Sequence, residues 1–387
     1  MKQRLRYAPT AVFLAFIMVL TTLFFVLPKE AYSENEKKQL ATLPDVSFDA
    51  LLNGTLTEGY EEYLSHHFPF RETFVGLQSY YELFTGRGGV SEVYFGADGF
   101  LIAAESTAAS EETVRTNVKN YAAFADAMGL KATLLVVPQT GYALDGQLPS
   151  NHLPYHDDRF FSAAEEECGS MTLLDVRDAL CGQTDCYYKT DHHLTMDGAE
   201  VLYKAYAAAQ GLVPFADYTV ESFDGFYGTS YSKSGYWASA PDTIETFKST
   251  QNDNVTVMIS SNGIDTPVRY DSLFFEEHLQ RMDKYPLYLN GNQGLVTIHN
   301  PDAPEGKLLV VKDSFAHSVM TLLCQHYREI VMVDLRYYSD SADTTIKELV
   351  EKHALSEVLF LYGADSLSTD SSASFKLFYD LEDALPD

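Results

Sequence analysis

The first strongly patterned segment of the chain is an apolar run near the N-terminus. Residues 8–27 contain no charged side chain, and three basic residues precede them within residues 1–7. A helix of this length spans a bilayer at about 1.5 Å per residue. The basic flank predicts a cytoplasmic N-terminus (1–7), a transmembrane anchor (8–27) and an extracytoplasmic remainder. A cleaved signal peptide is the alternative, but residues 28–33 offer a poor cleavage site.

Helical periodicity and short apolar runs alternate along most of the chain after a polar stalk at residues 28–50. Ser110 before two glutamates predicts a helix N-cap, and Gly129 predicts the end of that helix. Apolar runs bounded by turn residues predict buried strands. The predicted helices are 55–66, 71–85, 110–128, 158–168, 197–210, 315–327 and 343–353, and the predicted strands are 93–95, 100–102, 132–137, 173–176, 186–188, 255–259, 295–298, 308–311, 330–333 and 357–362.

This alternation predicts the fold class. Strands separated by helices of this length favour a doubly wound, mostly parallel α/β sheet. Residues 213–300 interrupt the pattern with Tyr-, Ser- and Gly-rich sequence and short alternating stretches. We therefore expect one α/β domain, residues 51–387, that carries a β-rich insertion at 213–300 and follows one transmembrane helix.

Composition limits the classes of partner. The formal net charge is −28 and the isoelectric point is near 4.6. Nucleic-acid binding depends on basic side chains that neutralise phosphates, so we expect no nucleic-acid partner.

Cys181 and Cys186 lie five positions apart and are a candidate disulfide in an oxidising compartment. Two unpaired thiols are the alternative.

A serine stands where an apolar strand meets an amphipathic helix. Residues 307–320 contain the strand, a corner at Asp313 and Ser314, and the start of the helix. Ligands of open α/β sheets gather beyond the carboxyl ends of the strands. At a helix N-terminus, backbone N–H groups and the dipole also favour developing negative charge. Ser314 is therefore a candidate nucleophile, although Asp313 or Ser314 as a simple helix cap is the alternative.

A second strand end supplies a candidate base and its orienting acid. Asp191 and His193 have D-x-H spacing on a predicted turn, so the carboxylate can reach the imidazole ring. The candidate catalytic triad is Ser314, His193 and Asp191. The alternative is a polar turn in which Thr195 caps the following helix.

Two other segments contain residue types found in catalytic or metal sites. Ser230 lies in a Gly-Thr-Ser-Tyr-Ser segment, but no apolar strand precedes it and Gly235 soon follows. The run 191–193 also has the metal-binding letters of DHH phosphoesterases, which carry further Asp-rich motifs that this chain lacks. We therefore expect no metal and no other cofactor.

Six segments, taken in order along the chain, resemble the DHHW family. This family belongs to the SGNH-like group that includes the alginate O-acetyltransferases AlgJ and AlgX. The resemblance implies an SGNH-like fold and assigns the catalytic roles to Asp191, His193 and Ser314. The sequence departs from the family pattern at two positions. Leu194 stands where the family has Trp, and Lys312 stands where the Gly-Asp-Ser turn around the nucleophile has Gly. The segments are 32–36, 67–71, 96–101, 188–193, 311–314 and 334–338.

Three further residues are candidates for substrate or oxyanion binding. SGNH enzymes add an asparagine side chain to the oxyanion site, and Asn292 is the candidate here, with a plain turn as the alternative. Arg336 can hold a carboxylate or phosphate, or it can pair with Asp334. Lys312 is expected to narrow the approach to the serine or to favour an anionic substrate.

The resemblance implies a membrane-anchored, extracytoplasmic O-acetyltransferase that acts on a cell-surface polysaccharide through an acyl-serine. It also implies a multi-span membrane acyltransferase as the acetyl donor. A carbohydrate esterase is an alternative, because water can replace the sugar acceptor. A catalytically silent carbohydrate-binding or assembly protein is the other alternative, which Lys312 and Leu194 favour.

Overall fold

A computed structural model describes residues 7–342, 344–379 and 381. The basic residues of the predicted cytoplasmic flank therefore lie outside the described residues. The described helices are α1 (Ala8–Val26), α2 (Phe48–Asn53), α3 (Thr55–His66), α4 (Arg71–Phe84), α5 (Glu111–Met128), α6 (Thr140–Ala143), α7 (Asp157–Glu167), α8 (Arg177–Leu180), α9 (Met196–Gln210), α10 (Thr229–Ser234), α11 (Ala316–Leu323), α12 (Ile346–His353) and α13 (Ala364–Thr369).

The strands are mostly short, and those of the central sheet are the most apolar. They are β1 (Tyr32–Ser33), β2 (Lys38–Gln39), β3 (Gly89–Val90), β4 (Val93–Phe95), β5 (Leu101–Ala103), β6 (Lys131–Val137), β7 (Thr172–Asp175), β8 (Thr219–Phe226), β9 (Asp242–Lys248), β10 (Thr256–Ser260), β11 (Val268–Tyr270), β12 (Leu295–His299), β13 (Lys307–Lys312), β14 (Glu329–Val333) and β15 (Glu357–Gly363).

The central sheet has eight strands in the order β11-β10-β12-β14-β13-β15-β6-β7. The five strands from β14 to β7 are parallel to one another, and β12, β10 and β11 extend the sheet with antiparallel pairing. Alternate residues of β13 enter two different cores: Leu308 and Val310 pack with α9 and α11, and Leu309 and Val311 pack with α5 and α12. The predicted mixed α/β fold with a large, mostly parallel sheet is confirmed.

Several local predictions are confirmed and two are wrong. The helix capped by Ser110 ends at Gly129, which has a φ of 63°. The predicted strand 186–188 does not form, because Cys186 ends a short 3₁₀ helix and Tyr187 forms only an isolated bridge with Leu194. The predicted helix 315–327 stops at Leu323, and the side chain of Asn300 binds the carbonyl of Cys324 at 3.1 Å.

Residues 213–300 do not form one separate unit in this arrangement. Strands β8 and β9 form a two-stranded sheet of their own, whereas β10, β11 and β12 belong to the central sheet. The boundaries of the anchor, the stalk, the domain and the insertion stay predictions.

Helix α1 is apolar enough to cross a membrane. Its 19 residues include no charged side chain, and Leu20 alone among them is buried. A signal sequence near an N-terminus has the same properties, so length and composition establish only that the helix can span a bilayer.

Candidate active site

The corner after β13 is fixed by a buried carboxylate. Asp313 is fully buried, and its two oxygens accept hydrogen bonds from the backbone N–H groups of Phe315 at 2.9 Å and Gly363 at 2.8 Å. These bonds join the end of β13 to the start of α11 and to the end of β15. The side chain of Asp313 therefore fixes the turn before α11, and no described side chain caps the helix itself, so the hydroxyl of Ser314 is available for other contacts.

The turn before α9 is held from outside its own sequence. The carboxylate of Asp242 accepts hydrogen bonds from the N–H of Lys189 at 2.9 Å and from the N–H and hydroxyl of Thr190 at 2.8 and 2.6 Å. Thr195 caps α9 by accepting a hydrogen bond from the N–H of Gly198 at 3.3 Å. Between these two bonded positions lie Asp191 and His193, and His193 reaches Ser314 beyond the carboxyl end of β13.

The structure brings the three predicted triad residues together. The Nε2 atom of His193 lies 2.7 Å from the Oγ atom of Ser314. The Nδ1 atom of the same ring contacts Oδ1 of Asp191, which also accepts the backbone N–H of His193 at 2.9 Å. Because Nδ1 faces a carboxylate, the neutral ring carries its proton there and presents an unprotonated Nε2 to the serine.

A threonine that the sequence did not identify holds the acid. The second oxygen of Asp191 accepts hydrogen bonds from the N–H and the hydroxyl of Thr229 at 2.6 and 3.0 Å. Gly228 makes this contact possible, because a Cβ atom there would lie 2.1 Å from Cβ of Asp191. This segment therefore contributes to the site through Gly228 and Thr229, and among the residues described Ser230 makes no hydrogen bond with the triad side chains.

Aromatic rings shield the base. Tyr285 stacks on the His193 ring with 3.7 Å between ring centroids and an interplanar angle of 9°, and Phe315 approaches edge-on at 5.3 Å. The hydroxyl of Tyr285 also donates to the carbonyl of Ser314 at 3.2 Å. No sequence pattern indicates Tyr285, which begins a short 3₁₀ helix 29 residues before the serine.

Burial sets the protonation of the pair. Burial and the neighbouring His192 lower the pKa of His193 to about 4, although Asp191 opposes this shift. Burial raises the pKa of Asp191, but the attraction of His193 and His192 and the hydrogen bond from His193 outweigh it and hold that pKa well below its usual value. At neutral pH, the geometry therefore presents a neutral base beside an ionised acid.

A pocket of about 260 Å³ opens beside the serine and contains two of the predicted binding residues, Asn292 and Arg336. Asn292 is exposed at its rim and lies 3.3 Å from the Tyr337 hydroxyl. Arg336 binds both oxygens of Asp334 at 2.9 and 2.7 Å, so it makes the predicted pair and still lines the pocket. The residues of the pocket wall are Lys37, Asp191, His192, His193, Thr229, Asp283, Tyr285, Pro286, Gly291, Asn292, Ser314, His317 and Arg336.

The family model described as DHHW protein matches residues 167–333. The resemblance to DHHW proteins is confirmed. No curated protein matches the chain in sequence.

Two solved structures with a TM-score near 0.6 share the fold at low sequence identity. A DHHW family protein from Eubacterium siraeum is 19% identical, with a TM-score of 0.60 over 74% of this chain and 95% of that chain. Bacillus cereus PatB1 with a sulfonyl adduct is 19% identical, with a TM-score of 0.59 over 73% and 96%. The O-acetyltransferase domain of Pseudomonas putida AlgJ is 15% identical, with a TM-score of 0.45 over 76% and 96%.

The two departures from the DHHW pattern have different surroundings. Leu194 is 1% exposed and packs in the core next to the turn. Lys312 is also 1% exposed and lies beneath the pocket, where its Nζ atom is 2.7 Å from Nε2 of His317 and 3.3 Å from Asp334. Burial lowers the pKa of Lys312. The lysine therefore lies behind the pocket wall in contact with His317, and it is not one of the residues that line the pocket.

The rival arrangements have other partners. Ligand atoms of Asp191, His192 and His193 lie within 4.8 Å of one another, as a metal site would need. These ligand atoms already have protein partners. The two nitrogens of the His193 ring contact Asp191 and Ser314, and Nδ1 of His192 contacts the hydroxyl of Thr229. Ser230 is buried within α10.

Cys181 and Cys186 are free thiols among the described residues, and their disulfide stays a prediction.

Proposed function

We propose that this chain is a membrane-anchored, extracytoplasmic O-acetyltransferase with an SGNH-like fold. It transfers acetyl groups to a cell-surface polysaccharide through an acyl-serine at Ser314. The observation that carries the proposal is the 2.7 Å contact between Oγ of Ser314 and Nε2 of His193, a base whose other nitrogen faces Asp191. This arrangement meets the geometric requirement for an activated serine nucleophile.

In the first half-reaction, the hydroxyl proton of Ser314 moves to Nε2 of His193 while Oγ bonds the acyl carbon. The leaving group departs with that proton, which leaves acetyl-Ser314 and a neutral imidazole. In the second half, a sugar hydroxyl gives its proton to Nε2 and its oxygen bonds the acyl carbon. Oγ of Ser314 leaves and recovers the proton, so the enzyme is restored.

Negative charge develops on the acyl oxygen during the reaction, and hydrogen-bond donors on the pocket side of the serine are needed to stabilise it. We assign this function to the backbone N–H of Ser314, two residues before the first residue of α11, and to the side chain of Asn292. Arg336 faces the same pocket and is assigned to an acidic or hydroxyl-rich part of the acceptor. The packed rings of Tyr285 and Phe315 limit access of water to His193, which favours transfer over hydrolysis.

Helix α1 supports the proposed location. An uncleaved anchor holds the domain on the outer face of the cell membrane, where a multi-span membrane acyltransferase would supply acetyl groups. N-terminal sequencing of the membrane-extracted protein is expected to find Met1 or the residue after it. A mature chain that starts near residues 31–34 would contradict the anchor.

The catalytic proposal is tested by mass spectrometry. The full chain is incubated with p-nitrophenyl acetate and digested, and peptides are searched for acetyl on Ser314. Ser314→Ala is expected to lose this label, whereas Ser230→Ala, a matched serine change in the rival segment, is expected to keep it.

A chase then separates the possible reactions. Acetylated oligosaccharide after addition of an acceptor indicates the transferase, whereas free acetate alone indicates an esterase. An unlabelled Ser314 in folded protein would contradict both reactions and favour the carbohydrate-binding alternative.

A further inference from the structure

Exposed apolar side chains are concentrated in one part of the chain outside α1. Among the described residues, 15 large hydrophobic side chains of residues 43–84 are exposed, whereas only eight are exposed after residue 84. Scattered exposed hydrophobic residues are normal, but a concentration of this kind marks an interaction surface.

Helix α4 packs on the domain through small residues and exposes its large apolar side chains. Its small residues Gly76 and Ser79 are buried against the domain. A Cβ atom at Gly76 would lie 2.7 Å from the Trp237 ring, and the Ser79 hydroxyl donates to the carbonyl of Ser234 at 2.5 Å. The close approach made by these small residues fixes the rotation of α4, so its opposite face points away from the protein.

That opposite face carries a stripe of large apolar side chains. Phe74, Leu77, Tyr81 and Phe84 are 43%, 55%, 63% and 91% exposed. Their spacing of three, four and three residues places them within roughly 80° of one another around the helix axis. A helix with this stripe has the shape of an interfacial amphipathic helix.

The stripe continues toward the apolar helix α1. Leu64 and Phe68 line one hollow together with Phe74. The same two residues line a second hollow, whose other side includes Leu20 and Phe24 of α1. The ring of Tyr63 packs edge-on against Phe24, with 6.1 Å between centroids. If α1 spans a bilayer, residues that contact its last two turns lie at the depth of the outer lipid boundary.

We propose that the α3–α4 apolar surface, made of Leu64, Phe68, Phe74, Leu77, Tyr81 and Phe84, inserts into the outer leaflet of the bilayer. Contact with lipid on this side explains why α4 exposes its large apolar side chains, and why Phe68 and Phe70 between α3 and α4 are exposed as well. The proposal rests on the proposed anchor but not on the proposed chemistry, because none of these residues lines the pocket at Ser314.

The charge of the segment defines the kind of attachment. Residues 48–85 contain six acidic residues and one arginine, so anionic lipid headgroups do not attract this surface. Attachment then comes from buried apolar area. We expect it to be at least as strong on phosphatidylcholine vesicles as on vesicles that contain phosphatidylglycerol, and to persist at high salt.

The test separates the surface from the anchor. A protease site is inserted between Lys29 and Glu30, the full chain is reconstituted into vesicles of phosphatidylcholine, and the connection to α1 is cut. Flotation then measures how much of the cut domain remains with lipid. Most of the wild-type domain is expected to stay bound, and Leu77→Ser combined with Phe84→Ser is expected to reduce the bound fraction roughly tenfold or more.

Val213→Ser is the matched control, since Val213 is 82% exposed and lies far along the chain from α4. Circular dichroism confirms the fold of each variant. Release of the cut wild-type domain from pure lipid overturns the proposal. Retention in native membranes but not in lipid vesicles also overturns it, because a protein partner would then cover the surface. Loss of the uncut chain from vesicles would overturn the anchor on which the proposal rests.

Discussion

The buried environment of His193 makes a quantitative prediction about pH. An ordinary histidine has a pKa near 6.5, whereas burial and His192 lower that of His193 to about 4. Because the folded pKa lies below the ordinary value, the ring stays neutral as the pH falls through 6.5. Its capacity to accept the serine proton is lost only near pH 4. At pH 5, about 90% of the rings are neutral, compared with about 3% for an unperturbed histidine.

The assay is the rate at which Ser314 becomes acetylated by p-nitrophenyl acetate, followed by mass spectrometry from pH 4 to pH 8. The rate at pH 5 is expected to remain within about a factor of two of that at pH 7 after correction for ester hydrolysis. His192→Gln should raise the pH of half-maximal rate, because His192 lowers the pKa of His193. His299→Gln changes an exposed histidine and should leave the profile unchanged.

Folding has to be monitored in the same experiment, because the neutral buried ring also affects stability. The unfolded chain takes up the proton near pH 6.5 and the folded chain does not until near pH 4. Stability is therefore full above pH 6.5 and falls as the pH approaches 4, by up to ~3 kcal/mol from this residue. If folded wild-type protein loses most of its rate near pH 6.5, the assignment of His193 as a buried neutral base is refuted.

Three further predictions concern the residues around this base. Asp191→Asn is expected to slow acetylation by roughly 10²–10⁴-fold while Ser314→Ala abolishes it, as measured by the same labelling, because the asparagine keeps the shape but not the charge. Lys312→Met should lower the free energy of unfolding by ~1–3 kcal/mol in urea titrations, since Nε2 of His317 loses its buried donor; an unchanged midpoint would contradict this. Alkylation and peptide mapping of unreduced protein should find Cys181 joined to Cys186, and labelling of both thiols would count against the disulfide.

The residues that the sequence predicted share a local signature. Ser314 follows an apolar strand and precedes a helix, and Asp191 lies two positions from His193, so neighbouring letters are enough to propose both. Thr229 and Tyr285 have no such signature. Their contacts with the triad join positions 38 and 29 residues apart, and only tertiary packing determines them.

The same limit applies to the sheet and to Lys312. Periodicity predicted the strands at the positions of β10 and β12, but it does not encode which neighbour a strand pairs with or in which direction. The sequence predicts that Lys312 narrows the approach to the serine or favours an anionic substrate, because it stands where the family pattern has glycine. Side chains alternate between the two faces of a strand, and its partners are the buried His317 and Asp334.

The stalk and the active site are connected more closely than a flexible tether would require. Lys37, in the turn between β1 and β2, pairs with Asp283 at 3.0 Å, and both line the pocket of Ser314. The same turn is fixed to α4, because Ser33 and Asn35 donate hydrogen bonds to Glu72 at 2.9 and 2.6 Å. A segment that leaves α1 therefore forms part of the wall of the pocket and is bonded to the helix proposed to lie on lipid. With both proposals in place, the pocket is held at a fixed distance from the bilayer. An acetyl donor that is itself a membrane protein would then meet Ser314 without a search through the surrounding solution.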